Sequence, residues 1–316
     1  MAIKRLMRGE MIVPERVERL QIVKILFVSG KGGVGKSTVA ATLALQAARA
    51  GQKTLLVELG NRSFYGLAFK KNFSATPSPW RDGVDIALWD GNSCLREYAL
   101  HLLKSEALYK LFFENAVSRS LIQVAPGLAE LAILGKITSG PPRNVGPKLP
   151  YDTLIVDAFA SGHFLALLRA PLGFAEAVRF GPMGNESRDI AKVLRDPEIC
   201  RYCFVTLPES LPVQETGELV ASFKELVPNI APEICLNRWL QPAMAAQVKA
   251  PVGGDKDDFA HDLARRRESE VAAETQFQGL KTWIAPWILE TDFEKTVLQL
   301  AEIVSTPQGG AGEVKP

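Results

Sequence analysis

The architecture of this chain follows from one short segment, Gly30-Lys31-Gly32-Gly33-Val34-Gly35-Lys36-Ser37-Thr38. It comes after an apolar, β-branched run from Val23 to Val28 and before an Ala-rich segment from Val39 to Ala50. A strand, a glycine-rich loop and a helix in this order are the context that a phosphate-binding loop needs. The sequence therefore predicts such a loop, rather than a glycine turn with a purely structural role.

The glycines of this loop have a physical purpose. Gly32, Gly33 and Gly35 allow backbone dihedrals that are closed to residues with side chains. Successive N–H groups can then point inward at a helix N-terminus and form an anion-binding nest. In that arrangement Lys36 would reach the β- and γ-phosphates, and the hydroxyl of Ser37 would bind Mg²⁺.

The additional lysine, Lys31, narrows the class of phosphate-binding protein that the loop indicates. A loop that reads G-K-G-G-V-G-K-S resembles the deviant Walker A motif of dimeric nucleotide-switch ATPases. These include partition and cell-division positioning ATPases, nitrogenase iron protein, and the arsenite-pump and tail-anchored-protein-targeting ATPases. The resemblance implies that Lys31 reaches the phosphates of the opposite subunit, where a further cation would stabilise phosphoryl transfer. The alternative is an exposed loop lysine without a role.

The rest of the chain shows the alternation typical of an α/β protein. Continuous apolar runs, typical of strands buried on both faces of a parallel sheet, are linked by helical periods. We expect a doubly wound, mostly parallel sheet of the P-loop NTPase type with an inserted α-helical subdomain. The predicted strands are Lys24–Val28, Thr54–Glu58, Val84–Leu88, Thr153–Asp157, Tyr202–Thr206, Glu233–Leu236 and Thr282–Ala285. The predicted helices include Val213–Val227, Thr291–Val304 and a strongly charged, mostly solvated one at Asp257–Gln278.

The domain organisation is predicted to be simple. Residues 1–316 would form a single ATPase domain. Residues 1–20 would be an N-terminal extension, residues 93–140 the inserted helical subdomain, and residues 306–316 a flexible Gly/Pro-rich tail.

Two roles are open for the helical subdomain. Its apolar residues recur at helical spacing, as in Leu95, Tyr98 and Leu102. They could pack only on the core and on each other. Alternatively, part of the stripe could form a surface for a client or partner, with Phe112, Phe113 and Leu121.

Composition and charge exclude several functions. With 47% hydrophobic residues the chain can bury a sizeable core, and its net charge of +2 gives no strong field for nucleic acid. No apolar run reaches the roughly 18 residues of a membrane span. The N-terminus lacks the apolar segment of a signal peptide. We therefore expect a cytoplasmic protein without a transmembrane segment and without a nucleic-acid partner.

The resemblance becomes closest around Asp157. The run from Tyr151 to Asp157 has the form of a Walker B strand, whose carboxylate orders the Mg²⁺ shell. Ser161-Gly162-His163 and the Leu-rich segment after it resemble the second switch of the arsenite-pump and tail-anchored-targeting ATPases, with Ser in place of Thr. That resemblance implies a hinge at Gly162 and a γ-phosphate-sensing role for His163. A surface histidine is the alternative.

The resemblance extends over about residues 22–305. By it, Glu209 would touch the nucleotide of the facing subunit, and Asn237 with Arg238 would recognise the base. Pro286–Glu290 resembles the late adenine-side loop. The implied cofactors are ATP and Mg²⁺, and the implied nucleotide-binding residues are Gly30, Lys31, Gly32, Gly33, Val34, Gly35, Lys36, Ser37, Thr38, Glu209, Asn237 and Arg238.

One departure from the family concerns catalysis. Gly60 stands where the family has the first-switch aspartate that activates water. Hydrolysis needs a group that orients the attacking water. Glu58, two residues earlier, could be that group alongside Lys31 and Lys36, or it could be an ordinary strand-end carboxylate. In the latter case the chain would bind ATP and turn over slowly.

The four cysteines indicate a reduced compartment rather than a disulfide framework. Cys200 and Cys203 have the Cys-x-x-Cys spacing of half a zinc site, but on a strand they would point to opposite faces. Nothing in the sequence places Cys94 or Cys235 with them. The interpretation is structural cysteines, and the sequence gives no support for arsenite transport.

The resemblance thus implies a dimeric ATPase switch, either a homodimer or a heterodimer with a paralogous ATPase. Its client would be hydrophobic, or its partner membrane-associated. The alternative is a hydrolysis-deficient, nucleotide-dependent scaffold subunit of a heterodimer. A partition or positioning ATPase is a further alternative, but it needs a nucleic-acid patch or a terminal membrane helix, and the sequence shows neither.

Overall fold

A computed structural model describes residues 25–103, 127–139, 149–178, 180–240 and 256–305. These residues form one eight-stranded sheet in the order β3-β4-β2-β5-β1-β6-β7-β8, in which the β3–β4 pair is antiparallel and every other pair is parallel. The strands are β1 (Ile25–Gly30), β2 (Thr54–Leu59), β3 (Ser78–Arg81), β4 (Val84–Trp89), β5 (Thr153–Ala160), β6 (Cys200–Thr206), β7 (Glu233–Trp239) and β8 (Thr282–Pro286). The helices are α1 (Lys36–Arg49), α2 (Phe64–Phe69), α3 (Gly91–Leu103), α4 (Leu128–Ile137), α5 (Ser161–Ala177), α6 (Pro182–Leu194), α7 (Ser210–Leu226), α8 (Lys256–Gln276) and α9 (Phe293–Ser305).

The predicted parallel strands are confirmed. The central strands β1 and β2 are buried along their whole length, as their continuous apolar sequences require. β3 was not predicted, because it is short and contains Pro79. A proline cannot donate to a ladder from within a sheet, and β3 accordingly lies at the edge.

Helices cover both faces of the sheet. On one face α4 to α7 and the end of α8 pack against an aromatic core that contains Phe27, Phe164 and Tyr202. On the other face α1, α2 and α9 pack against residues such as Leu26 and Val28. The two faces alternate along β1, which is the doubly wound arrangement expected from the sequence.

The predicted helical subdomain is described only in part. α3 and α4 lie between β4 and β5, and Leu95, Leu131 and Ala132 are buried against the core. This packing agrees with the core interpretation of their apolar stripes. Phe112, Phe113 and Leu121 lie outside the described residues, as do the N-terminal extension and the C-terminal tail.

The described side chains of helix α8 are mostly exposed, as its charged sequence predicts, but the helix also contacts the core. Glu270 is fully buried on α8, and Ala273 and Phe277 belong to the core beside it. The charged sequence concealed this docking, because Glu270 is compensated by the guanidinium of Arg267 and by the backbone N–H of Leu240. Among the described helices, none has the length and apolar character needed to cross a membrane.

The cysteines lie as the strand geometry predicts. Cys200 belongs to one core layer and Cys203 to the opposite layer, so their thiols face away from each other. Cys235 packs in the same layer as Cys203, a proximity that the sequence did not indicate. All these thiols are free and buried, as is that of Cys94.

Candidate nucleotide-binding site

The glycine loop connects β1 to α1 at the carboxyl edge of the sheet. Gly35 has a φ of 92°, in the left-handed region that favours glycine, and it caps the N-terminus of α1. A Cβ at Gly35 would lie 2.2 Å from Nδ2 of Asn237, and a Cβ at Gly30 would lie 2.2 Å from the carbonyl oxygen of Val205. Both positions therefore require glycine, for conformation and for space.

Asn237 holds the loop from the side of β7. Its buried side chain donates a hydrogen bond from Nδ2 to the carbonyl oxygen of Val34, at 2.8 Å. The residue expected to recognise a base thus lies directly against the phosphate loop. Its amide oxygen is not used in this bond and can accept a further hydrogen bond.

Lys36 lies within the loop. Its Nζ donates to the carbonyl oxygen of Lys31 at 3.1 Å. Burial lowers the pKa of Lys36, and the carboxylate of Asp157 opposes that shift. A partly desolvated ammonium group in a glycine nest is suited to bind a polyphosphate, which would supply the missing negative charge.

Asp157 and Ser37 form the candidate metal site. Burial raises the pKa of Asp157 to about 6, while hydrogen bonds from the hydroxyls of Ser37 and Tyr65 and the charge of Lys36 lower it. Mg²⁺ prefers hard oxygen ligands, and this hydroxyl and carboxylate already lie together. Within the described ranges, no group of three or more His, Cys, Asp or Glu side chains could hold a metal ion. One hydroxyl and one carboxylate fit a Mg²⁺ ion that would take most of its ligands from water and phosphate.

Tyr65 is a member of this site that sequence reasoning missed. Its hydroxyl lies 2.9 Å from the carbonyl oxygen of Ser37 and 3.0 Å from Oδ2 of Asp157. The side chain is fully buried, and burial raises its pKa well above the ordinary value. No motif marks an aromatic residue on α2, so only its hydrogen bonds to residues of α1 and β5 reveal it.

Glu58 has both carboxylate oxygens engaged with the start of α2. Oε2 accepts from Oγ of Ser63 at 2.7 Å, and Oε1 accepts from the backbone N–H of Phe64. Burial raises the pKa of Glu58, while these hydrogen bonds lower it. Gly60, between Glu58 and Ser63, donates its N–H to the carbonyl of Trp89 at 3.0 Å. In this structure Glu58 therefore acts as a local cap for α2.

The side chain of Lys31 extends from the loop and forms an ion pair with Glu215 of α7. Its Nζ lies 2.6 Å from Oε1 of Glu215, and about half of the lysine side chain is exposed. The predicted trans lysine is thus accessible at the surface and held by a carboxylate of its own chain. Glu215 is another residue for which the sequence indicated no role.

The residues predicted to form the second switch lie at the start of α5. The ring of His163 stacks on Phe159 with centroids 3.8 Å apart, and its Nε2 lies 3.6 Å from Oε1 of Glu130 on α4. Gly162 is in the first turn of α5, where an added Cβ would meet no atom within 4 Å. His163 therefore connects the end of β5 to the helical insertion.

The remaining predicted residues, Glu209 and Arg238, come together around Arg266 of α8. The guanidinium of Arg266 donates to the carbonyl of Arg238 at 2.7 Å and lies 3.7 Å from Oε1 of Glu209. It also lies over the ring of Trp287, 4.9 Å from the centroid. Arg238 itself has a left-handed φ of 55°. Arg266 was missed because no motif marks an arginine on a charged, mostly exposed helix.

Comparisons with known proteins identify the family of this chain. The family described as anion-transporting ATPase matches residues 23–180. ATPase BagA of Mycobacterium tuberculosis is 30% identical over 276 residues, which cover 84% of this chain and 75% of that protein. A putative arsenical pump-driving ATPase of Halobacterium salinarum is 25% identical over 73% of this chain and 37% of its own length. An ATPase ASNA1 homolog of Entamoeba dispar is 23% identical over 67% of this chain and 75% of its own length.

The mostly parallel sheet, with its glycine loop between β1 and α1, defines a nucleoside triphosphatase fold of the P-loop class. Within that class, the chain belongs to the anion-transporting ATPase family. The family resemblance seen in the loop and in Ser161–His163 is thereby confirmed.

Proposed function

We propose that this chain is an ATP-binding switch that closes against a second chain when ATP and Mg²⁺ are bound. The observation that carries the proposal is the convergence of Lys36, Ser37 and Asp157 at the glycine loop. The membership in an ATPase family supports the same conclusion.

Each of these groups has a role that its position supports. The loop N–H groups and Lys36 bind the β- and γ-phosphates. Ser37 supplies a hydroxyl ligand for Mg²⁺, and Asp157 orients the water around it. Bound Mg²⁺ would neutralise charge between the phosphates. Asn237 accepts a hydrogen bond from the base at its amide oxygen, since the bond to the carbonyl oxygen of Val34 uses only one of its amide N–H groups.

The completed site requires another molecule. The side chain of Lys31 is about half exposed and pairs with Glu215, so it is available for exchange onto the phosphates of a facing subunit. Glu209, at the N-terminal end of the same helix, would face the nucleotide of that subunit. The partner is a second copy of this chain or a paralogous ATPase.

Hydrolysis would be slow. Gly60 offers no carboxylate, and both oxygens of Glu58 are occupied by the start of α2. These contacts favour the second candidate function, a nucleotide-dependent scaffold subunit whose partner chain supplies faster hydrolysis. Glu58 can serve as the water-orienting base only if α2 releases it.

The conformational change on dimer closure would be transmitted to the helical insertion through His163. This residue touches Glu130 of α4 and stacks on Phe159 at the end of β5. A change at the γ-phosphate could therefore move α4, and with it the surface for a hydrophobic client or a membrane-associated partner. A partition or positioning role has less support, because no feature of the described residues suggests it.

The test combines binding, association and turnover. Wild-type chain should bind a fluorescent ATP analogue with Mg²⁺, and Lys36→Ala should lose at least about tenfold in affinity, since Lys36 supplies charge at the phosphates. Light scattering with a slowly hydrolysed analogue would detect dimers, and single-turnover assays would separate slow from fast hydrolysis. A wild-type chain with no affinity for adenine nucleotides would refute the proposal. Rapid turnover by the chain alone would refute the scaffold alternative.

A further inference from the structure

We infer that Tyr65 is a positioning residue for the magnesium site, and that the segment after β2 supports this site with a phenol instead of a mobile carboxylate. This inference rests on the proposed function, because it assumes that Asp157 and Ser37 act on Mg²⁺. It concerns a residue to which neither the loop motif nor the family resemblance assigns a role.

The position of the hydroxyl is the first argument. It lies between the carbonyl oxygen of Ser37, at 2.9 Å, and Oδ2 of Asp157, at 3.0 Å. Tyr65 thus touches the backbone of one candidate metal residue and the carboxylate of the other. A hydrogen bond to one carboxylate oxygen fixes the plane of Asp157 and leaves the other oxygen for the water around the ion.

The anchoring of the ring is the second argument. Tyr65 is fully buried and stacks on Phe69 with centroids 5.7 Å apart. Phe69 stacks in turn on Trp80 at 4.3 Å, and Phe293 of α9 lies 6.3 Å from Tyr65 and 5.5 Å from Phe69. Rings from α2, β3 and α9 therefore hold the phenol in place, as a precise site requires.

The start of α2 is fixed as well. Glu58 accepts from Ser63 and Phe64, and Ser63 accepts from the backbone N–H of Gly66 at 2.8 Å. Lys71, just beyond α2, donates its Nζ to the carbonyl of Trp80 at 2.8 Å. These contacts brace the segment from Gly60 to Lys71 at both ends.

The lack of a carboxylate at Gly60 and the contact of Tyr65 with Asp157 explain each other. A first switch that acts through an aspartate must be free to approach the attacking water. Here Gly60 carries no carboxylate, and the segment that follows is bound to the core and delivers Tyr65 to Asp157. In this chain the segment supports the metal site and carries no carboxylate at position 60.

The test compares Tyr65→Phe with wild type and with Tyr151→Phe. Tyr151 is a matched control, because its hydroxyl also donates to a carboxylate, Oδ2 of Asp85 at 2.7 Å. Asp85 and Tyr151 lie at the other end of the sheet, near the first residues of β4 and β5. Binding of a fluorescent ATP analogue is titrated with Mg²⁺, and binding of the same analogue is measured in EDTA. Thermal melts record whether each variant remains folded.

We expect Tyr65→Phe to raise the half-saturating Mg²⁺ concentration about tenfold, as is typical when a group that supports a metal ligand is lost. Affinity in EDTA should stay within about twofold of wild type, and Tyr151→Phe should change neither quantity. An unchanged Mg²⁺ requirement would overturn the inference. An equal loss of affinity with and without Mg²⁺ would also overturn it, since that result indicates a purely structural role.

Two further results keep the outcomes distinct. If wild type binds no nucleotide under either condition, the proposed function fails, whereas normal wild-type binding with an indifferent Tyr65→Phe refutes only this inference. Should Tyr65→Phe not fold, Tyr65→Met removes the same hydroxyl and is expected to show the same selective increase in Mg²⁺ requirement.

Discussion

Lys31 and Glu215 form an ion pair between the phosphate loop and helix α7, with Nζ 2.6 Å from Oε1. The pair engages Lys31, for which the family resemblance implies a contact with the phosphates of the opposite subunit. Because the lysine is half exposed, water and salt screen this attraction. A facing triphosphate, with several negative charges, can therefore compete successfully with a single carboxylate.

The first prediction concerns Lys31. Replacement by Ala should leave nucleotide affinity of the single chain within about threefold, because Lys36 and the loop amides remain. ATP-dependent association should fall about tenfold, which corresponds to the loss of one charge-assisted contact. Sedimentation velocity with a slowly hydrolysed analogue would measure it.

Glu215 and Lys192 supply the comparison for this prediction. Glu215→Gln should strengthen ATP-dependent association severalfold, since it frees Lys31 from its own chain. Lys192 forms a similarly exposed pair with Asp189, 3.0 Å away on α6, and Lys192→Ala should change nothing. If Lys31→Ala dimerised as wild type does, Lys31 would have no role in trans.

The second prediction concerns Arg266. It joins Arg238, near the end of β7, to Trp287, so Arg266→Ala should disturb the base side of the site and leave the phosphate side intact. We expect about tenfold weaker binding of ATP and unchanged binding of inorganic tripolyphosphate, both measured by calorimetry.

Arg265 is the matched control for Arg266, because it lies next to it on α8 and is exposed. Arg265→Ala should bind both ligands as wild type does. Equal losses for ATP and tripolyphosphate in Arg266→Ala would show that Arg266 supports the whole fold rather than the base side.

The third prediction concerns stability. Arg201 and Glu233 pair in a nearly buried position, with Nζ of Lys281 3.7 Å from Oε1 of Glu233. Glu233→Ala would leave the guanidinium buried without its carboxylate and should lower the free energy of unfolding by about 3 kcal/mol. Urea denaturation would measure this change.

The paired replacement Arg201→Met with Glu233→Leu separates lost pairing from lost packing. It should recover most of the stability, because apolar groups of similar volume commonly replace a buried ion pair without penalty. Glu233 begins β7 at the end of the sheet opposite the loop, so nucleotide affinity should stay unchanged in both variants. Similar stability losses in the single and paired variants would contradict this account.

The fourth prediction concerns the pH dependence of the metal-free protein. Burial raises the pKa of Asp157 from 3.8 to about 6, so the folded chain binds this proton more tightly than the unfolded chain does. This carboxyl therefore lowers stability progressively as pH rises from about 4 to 6, and the full penalty is present above pH 6. Asp157→Asn should stabilise the chain in EDTA by about 1–3 kcal/mol at pH 7.5, and by less at pH 5.

Denaturant titrations at the two pH values would test this dependence. The same variant should lose the stabilisation that Mg²⁺ with ATP gives to wild type, since stabilisation by a ligand follows its affinity. A gain of equal size at both pH values would indicate that ionisation of Asp157 is not its cause.

Features that depend on local interactions could be predicted from the sequence, whereas contacts between distant residues could not. The strand at Thr153–Asp157 and the loop at Gly30–Thr38 could be predicted because burial patterns and glycine spacing are local properties. β3 was missed, since Pro79 and its short length gave no strand signal. The contacts of α8 with Leu240, just after β7, were missed because these partners are remote in sequence.

The sequence by itself determined the class of the protein: a doubly wound sheet, a phosphate loop with Lys31 and Lys36, and a carboxylate at the end of a buried strand. These features depend on residue types at fixed short spacings, which a single chain displays directly. Only the tertiary structure decided which side chains complete the site. Tyr65 reaches Asp157 across 92 residues, and Lys31 reaches Glu215 across 184, because distant elements pack together, and no local pattern encodes those contacts.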